Sequence, residues 1–176
     1  MNYPKEHFQI VEALLREGRF LIEGEAAFAT LKENRAFYQE FFKLSFQLDL
    51  ELTADYALLK SSRNNDALAR DICVFLGILC YEIDREGHNL MERLQFAVFS
   101  VEEIEQKLAL SSFFEIIEAT PGLKDEPTRR KFYNQMARRQ LIIKQGEDAF
   151  RFTPAHRYFL EYARSFSRLI IREEEE

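Results

Sequence analysis

Tryptophan is absent from the 176 residues, and cysteine occurs only twice, proline four times and glycine six times. So few chain breakers leave little room for long loops, and helix is the expected default. No apolar run approaches the ~20 residues that a membrane-spanning helix needs. The longest, Ile72 to Tyr81, is about half that, and no contact with a membrane is expected. Met1 to Ala13 has no basic stretch followed by an apolar one, so no secretory leader is expected and the chain reads as cytoplasmic. Cys73 and Cys80 sit seven residues apart in one helical pattern. Their Cα atoms would be about 10 Å apart, too far for a disulfide. They read as small apolar fillers.

Chemical signatures are equally scarce. The chain has no phosphate-cradling glycine loop, no G-x-S-x-G elbow and no His/Cys spacing suited to zinc. His7, His88 and His156 are far apart in sequence. Paired acids such as Glu102-Glu103 fit the first turn of a helix, where the dipole favours them. No catalytic residue, metal ligand or cofactor is expected, and the chain does not read as an enzyme.

What the sequence does have is phenylalanine, 17 residues of it, within a 47% hydrophobic and 31% charged composition. That is a globular chain with a core of Phe, Leu and Ile. Its length suits one compact domain or two small ones. The net charge is −6, but it is unevenly spread. Residues 1–62 carry a net −3, residues 63–123 a net −6, and residues 124–176 a net +3 despite the four glutamates Glu173 to Glu176. A basic region is hidden in an acidic protein.

Periodicity organises the chain. Phe8, Val11 and Leu15 mark a first helix, which Gly18 stops. Ala27, Phe28 and Leu31 mark a second, and Phe37, Phe41 and Leu44 a third. From Phe46 the period changes to two, with Leu48, Leu50 and Leu52 alternating with polar residues. After a turn at Thr53-Ala54-Asp55, Tyr56 to Lys60 return as a second strand. Asn64, Asn65 or Asp66 then caps a long helix carrying Leu68, Ile72, Phe75, Leu76, Leu79 and Ile83, ended by Gly87. Asp84 to Asn89 reads as a polar turn. Ser100-Val101-Glu102-Glu103 and Ser112-Phe113-Phe114-Glu115 fit capping boxes, and Asp125-Glu126-Pro127 opens a further helix. Leu141 to Lys144 and Ala149 to Phe152 form a second hairpin. Thr153-Pro154 leads into a last helix with Phe159, Tyr162, Phe166 and Leu169. Three helices and a hairpin thus occur twice.

The expected class is mainly α (α+β): tandem winged-helix domains joined by a buried central helix. The expected divisions are an N-terminal winged helix over 1–62, a helical linker over 63–97, and a C-terminal winged helix with an acidic tail over 98–176.

The helix around Thr128 to Arg139 is the most informative segment. At about 100° per residue, Phe132, Tyr133 and Met136 share one face. Arg130, Lys131, Asn134, Gln135 and Arg138 share the other. Such side chains contact phosphates and base edges when a helix enters a groove. Lys144 and Arg151 lie on the hairpin that follows, where a wing would touch the backbone. The candidate DNA-binding residues are therefore Arg130, Lys131, Asn134, Arg138, Lys144 and Arg151. The corresponding helix of the first unit balances Arg35 and Lys43 with Glu33 and Glu40 and is crowded with aromatics, which suits protein contact. Phe41 and Phe42 there, with the Cys73, Gly77 and Cys80 stripe of the central helix, are the candidate dimer or partner interface.

The run Phe37-Tyr38-Gln39-Glu40-Phe41-Phe42-Lys43-Leu44-Ser45-Phe46-Gln47-Leu48, with the hairpin ending Tyr56-Ala57-Leu58-Leu59-Lys60, resembles the first wing of the bacterial condensin subunits MukE and MksE. The helix Leu68 to Ile83, the segment Phe99-Ser100-Val101-Glu102-Glu103-Ile104, and the second wing from Leu141-Ile142-Ile143 to Phe150-Arg151-Phe152-Thr153-Pro154 are similar in order and spacing. The likeness spans about residues 5 to 170 and consists of patterned hydrophobics. The chain is short for MukE, so the MksE branch, including its plasmid-defence relatives, fits better.

The resemblance implies a kleisin-interacting tandem winged-helix element. Such a protein forms a homodimer, clasps a MukF/MksF-like kleisin and reaches a MukB/MksB-like SMC ATPase through it. It would bind DNA weakly and without sequence preference in the nucleoid, in chromosome organisation or plasmid defence. A winged-helix transcription regulator is the alternative, and a helical adaptor with no nucleic-acid role is a third reading. Two units per chain favour the condensin subunit, because a regulator usually needs one unit and a sensor element.

Overall fold

The computed structural model describes residues 3–60 and 66–161. These fall into two compact units. One holds the described residues up to 60 together with Arg138–Leu141; the other holds Asp66–Ala137 and the described residues from Ile142 onward. The architecture is mainly α, with a small three-stranded antiparallel sheet in each unit. Among the described residues, no helix is long and apolar enough to cross a membrane.

The first unit runs α1 (His7–Val11), a π-helical turn (Glu12–Arg16), β1 (Leu21–Ile22), α2 (Ala26–Glu33), α3 (Arg35–Phe46), β2 (Asp49–Leu52) and β3 (Tyr56–Lys60). The first helical face differs from the sequence expectation. Ile10, Ala13 and Leu14 are buried, while Phe8 is 69% exposed. The Glu17 amide reaches the Glu12 carbonyl at 2.9 Å, an i→i+5 bond. That wider turn shifts the register of the pattern. Gly18 then leaves the helix at φ +60°.

In α3 the buried pair is Tyr38 and Phe42, whereas Leu44 is 74% exposed. The expected face is thus rotated by one residue. The helix also continues through Phe46. Gln47 then adopts φ +58°, with its amide on the Lys43 carbonyl and the Leu48 amide on that of Phe42. This left-handed cap takes Phe46 and Leu48 out of the expected strand. The hairpin itself forms as read, Leu50 facing Leu59 and Leu52 facing Ala57. β1 adds a third strand to β3, too short at two residues for a period-2 signal.

The second unit runs α4 (Ala67–Arg85), α5 (Leu90–Phe96), β4 (Phe99–Ser100), α6 (Val101–Leu110), α7 (Phe114–Ala119), α8 (Glu126–Arg138, all but its last residue), β5 (Ile142–Lys144) and β6 (Ala149–Phe152). α4 and α5, within the 63–97 segment, belong to this unit. Asp66 caps α4 by accepting the amides of Leu68 and Ala69 at 3.1 and 3.2 Å. The buried face of α4 carries Ile72, Phe75, Leu76, Leu79 and Ile83.

Ser100 caps α6 by accepting the Glu103 amide at 3.0 Å, but the Glu103 carboxylate turns to Arg93 at 2.7 Å. That is half a capping box. The second expected box does not form, since α7 has no side-chain cap. Ser111, not Ser112, accepts the Phe113 amide, while its hydroxyl donates to the buried Glu82 at 2.7 Å. β5 pairs with β6, Ile142 facing Phe152, and β4 pairs with β6, Phe99 facing Phe150.

Both sheets share one strand order, the first strand beside the third and the third beside the second. In both, the hairpin directly follows the longest helix of its helix–helix run. Residues 156–161 are helical, and Phe159 is buried there. Tyr162, Phe166, Leu169 and Glu173 to Glu176 lie outside the described residues.

Candidate nucleic-acid interface

α8 is aimed by its buried side. Phe132, Tyr133 and Met136 are at most 3% exposed. The Phe132 ring meets Phe75 of α4 edge-on at 5.5 Å, and Tyr133 lies 5.6 Å from Phe150 of β6. Asp125 starts the helix by accepting the Thr128 amide at 2.9 Å. A hydrogen bond from the Thr128 side chain, and then the one from its amide, hold this carboxyl below the ordinary carboxylate range.

A polar clamp ties α8 to α6. The Arg129 Nε donates to both oxygens of Glu105 of α6 at 2.9 and 2.8 Å, and Arg129 Nη1 donates to the Leu123 carbonyl at 2.6 Å. The Tyr133 hydroxyl donates to Glu105 at 3.0 Å. Burial, then the Glu105 carboxylate, holds that phenol well above its ordinary value. Burial works against the Arg129 charge, but Glu105 more than offsets it. Arg129 is therefore spent on the fold and does not face outward.

With that side anchored, Arg130, Lys131, Asn134, Gln135 and Arg138 are all exposed. Arg130 pairs with Glu126 one turn earlier at 3.1 Å, an exposed pair worth a few tenths of a kcal/mol that a phosphate could displace. Asn134 accepts a hydrogen bond from Lys144 of β5 at 3.0 Å. Five of the six candidate residues thus gather around α8.

Arg151 is the exception. It faces Ile143 across the hairpin, one residue out of phase with Lys144 and Phe150, so alternation along the strands puts it on the opposite side of the ribbon. The turn between the strands also carries two exposed acids, Glu147 and Asp148. Such carboxylates would repel a phosphate, which leaves Lys144 as the cation of this hairpin on the side of α8. The Glu105 clamp and the acidic turn both escaped the sequence reading.

The candidate partner residues separate as well. Phe42 is fully buried in the first unit's core, packed with Tyr38, Leu31 and Leu50. It has no surface left for a partner and is a core residue. Phe41 is half-buried on top of that core, its ring 5.1 Å from His7 and 5.8 Å from Phe46. Cys73 and Cys80 are half-buried on α4, and Gly77 between them is exposed. Among the described residues, no three His, Cys, Asp or Glu side chains gather into a metal-binding group.

The family model described as condensin complex protein MksE matches residues 6–164. The chain belongs to the MksE family, which places it with the proteins of condensin complexes and chromosome organisation. No curated protein matches the chain.

Proposed function

We propose that this chain is the accessory, non-catalytic subunit of an SMC-type condensin complex, and that each of its two units is a winged helix. In this reading it forms a homodimer, clasps a MukF/MksF-like kleisin and reaches the MukB/MksB-like ATPase through that kleisin. It contacts DNA through α8 without sequence preference, as part of the nucleoid in chromosome organisation or plasmid defence. Family membership supports the complex, and the strand order repeated in both units supports the winged helices.

The observation that carries DNA contact is the face of α8. Lys131, Asn134, Gln135 and Arg138 stand exposed opposite a helix side locked by Phe132, Tyr133, Met136 and Arg129. α8 is also the helix that leads into the hairpin, which is the position from which a winged helix enters a groove. The acidic remainder of the chain opposes association, so binding is weak and falls steeply with salt.

Fluorescence anisotropy on a random-sequence duplex across a salt series tests this. Phosphate contacts by Arg130, Lys131, Arg138 and Lys144 predict a slope of log K against log salt of about −3 to −4. Replacing Arg130, Lys131 and Arg138 together by Glu abolishes binding. The thermal midpoint stays close to that of the parent, because surface changes of this kind typically move stability by about 0.5 kcal/mol or less. A triple variant that binds like the parent, or a parent with no salt-dependent binding, overturns the reading. Preference for one operator by a factor of about 10³ would instead mark a transcription regulator.

A further inference from the structure

We propose that the outward face of α4 is the homodimer interface, with two copies packed antiparallel and Gly77 at the two-fold axis. The inference rests on the homodimer reading above and assigns its surface and orientation.

The face is apolar at its centre. Val74, Cys73 and Cys80 are half-buried, and Tyr81 is 46% exposed with its ring edge-on to Phe113 at 4.9 Å. Gly77 lies in the middle of this helix, exposed, and a Cβ built on it would meet nothing within 4 Å. A helix interior disfavours glycine more than any residue but proline, and neither a turn, a positive φ nor a close neighbour among the described residues calls for it here. A second helix crossing at this point would, because helix axes approach most closely where no side chain intervenes.

The ends of the face identify the occupant. Arg70 and Asp84 are both exposed and lie seven residues before and after Gly77. Neither has a salt-bridge partner among the described residues. At about 100° per residue both fall within roughly 20° of the Gly77 direction, and each stands about 10 Å along the axis from it.

In an antiparallel pair centred on Gly77, each Arg70 faces the Asp84 of the other copy, twice by symmetry. Val74 then faces Cys80, and Cys73 faces Tyr81. A parallel pair would instead set Arg70 against Arg70 and Asp84 against Asp84. The pattern is self-complementary in one orientation only, as a closed two-fold interface requires. A crossing angle near 20° keeps both charge pairs within side-chain reach.

The test is sedimentation velocity on the full-length chain. The parent forms a dimer. Arg70→Asp alone and Asp84→Arg alone place like charges across the interface twice, and each dissociates more than about tenfold more readily. Mixing the two single variants restores the dimer, because the hetero-pair regains both opposite-charge contacts. Gly77→Leu, which favours the helix and so folds, is monomeric because it wedges the crossing point.

Single variants or Gly77→Leu that dimerise like the parent overturn the interface while leaving a dimer through another surface. A mixture that stays monomeric overturns it too. A parent that is monomeric at tens of micromolar, about the range of a weak dimer, overturns the homodimer reading itself.

Discussion

The carboxylate of Asp71, buried on α4, accepts the backbone amide of Gly122 at 2.9 Å. This bond ties the central helix to the segment that leads into α8, and it requires that residue 122 have no side chain. A Cβ at Gly122 would lie 2.8 Å from the Asp71 oxygen and 3.2 Å from the Phe132 ring. Gly122→Ala therefore pushes on both the bond and the ring that aims α8. The expected loss is about 1–3 kcal/mol, the range for overpacking a tight site. Thermal denaturation that leaves the midpoint unmoved would show that the segment can step aside.

Glu105 neutralises Arg129, and their side chains are only 19% and 14% exposed. Glu105→Ala strands that guanidinium and removes the acceptor of the Tyr133 hydroxyl. A loss of about 3 kcal/mol is expected, as for breaking a largely buried pair. Urea unfolding measures it. DNA affinity of the folded fraction should fall as well, since α8 loses its clamp. Unchanged stability would mean that Arg129 finds another partner.

His156 makes the stability of the second unit sensitive to acid. The residue is 1% exposed, Nδ1 donates to the Thr153 carbonyl at 2.6 Å, and Nε2 is buried without a hydrogen-bond partner among the described residues. Burial pushes its pKa below the ordinary 6.5, and the Thr153 bond opposes this only partly. The unfolded chain therefore binds the proton more readily than the folded one. The contribution of neutral His156 is whole above about pH 6.5 and is lost as pH falls through the lowered folded value. Urea midpoints of the parent should decline between about pH 6.5 and 5 more steeply than those of His156→Gln. Parallel slopes would exclude His156 as the source.

Adjacent phenylalanines of α3 should behave differently. Phe42 is fully buried, so Phe42→Ala removes core volume and costs about 3–5 kcal/mol. Phe41 is half-buried at the surface of the same core, so Phe41→Ala costs less than half as much. If the kleisin engages this aromatic surface, Phe41→Ala weakens its capture while the chain stays folded. Equal losses of stability at the two positions would contradict the burial described here.

Much of this protein was legible in its sequence where the signal is local. The two hairpins, and a cap at one of Asn64, Asn65 or Asp66, are written in neighbouring residues, although the change to period two read from Phe46 falls at Asp49. So is the division of α8 into a Phe132-Tyr133-Met136 side and a basic side, because residues three and four apart share a helix face. The patterned hydrophobics also carried the family, since they record a whole fold and require no catalytic motif.

Only the tertiary structure decided what depends on distant partners. Which aromatic of the Phe41-Phe42 pair is core turns on a rotation of about 100°, and packing against Leu31 and Leu50 fixed that rotation. In α1, too, packing buried Ile10 and left Phe8 exposed. β1 and β4 are two residues each and exist only because β3 and β6 offer them an edge. Arg129 sits among the cations of α8 in the sequence, but Glu105, remote in the chain, holds it inward. The side of the ribbon that Arg151 occupies was set by strand register, a property of two segments paired in space.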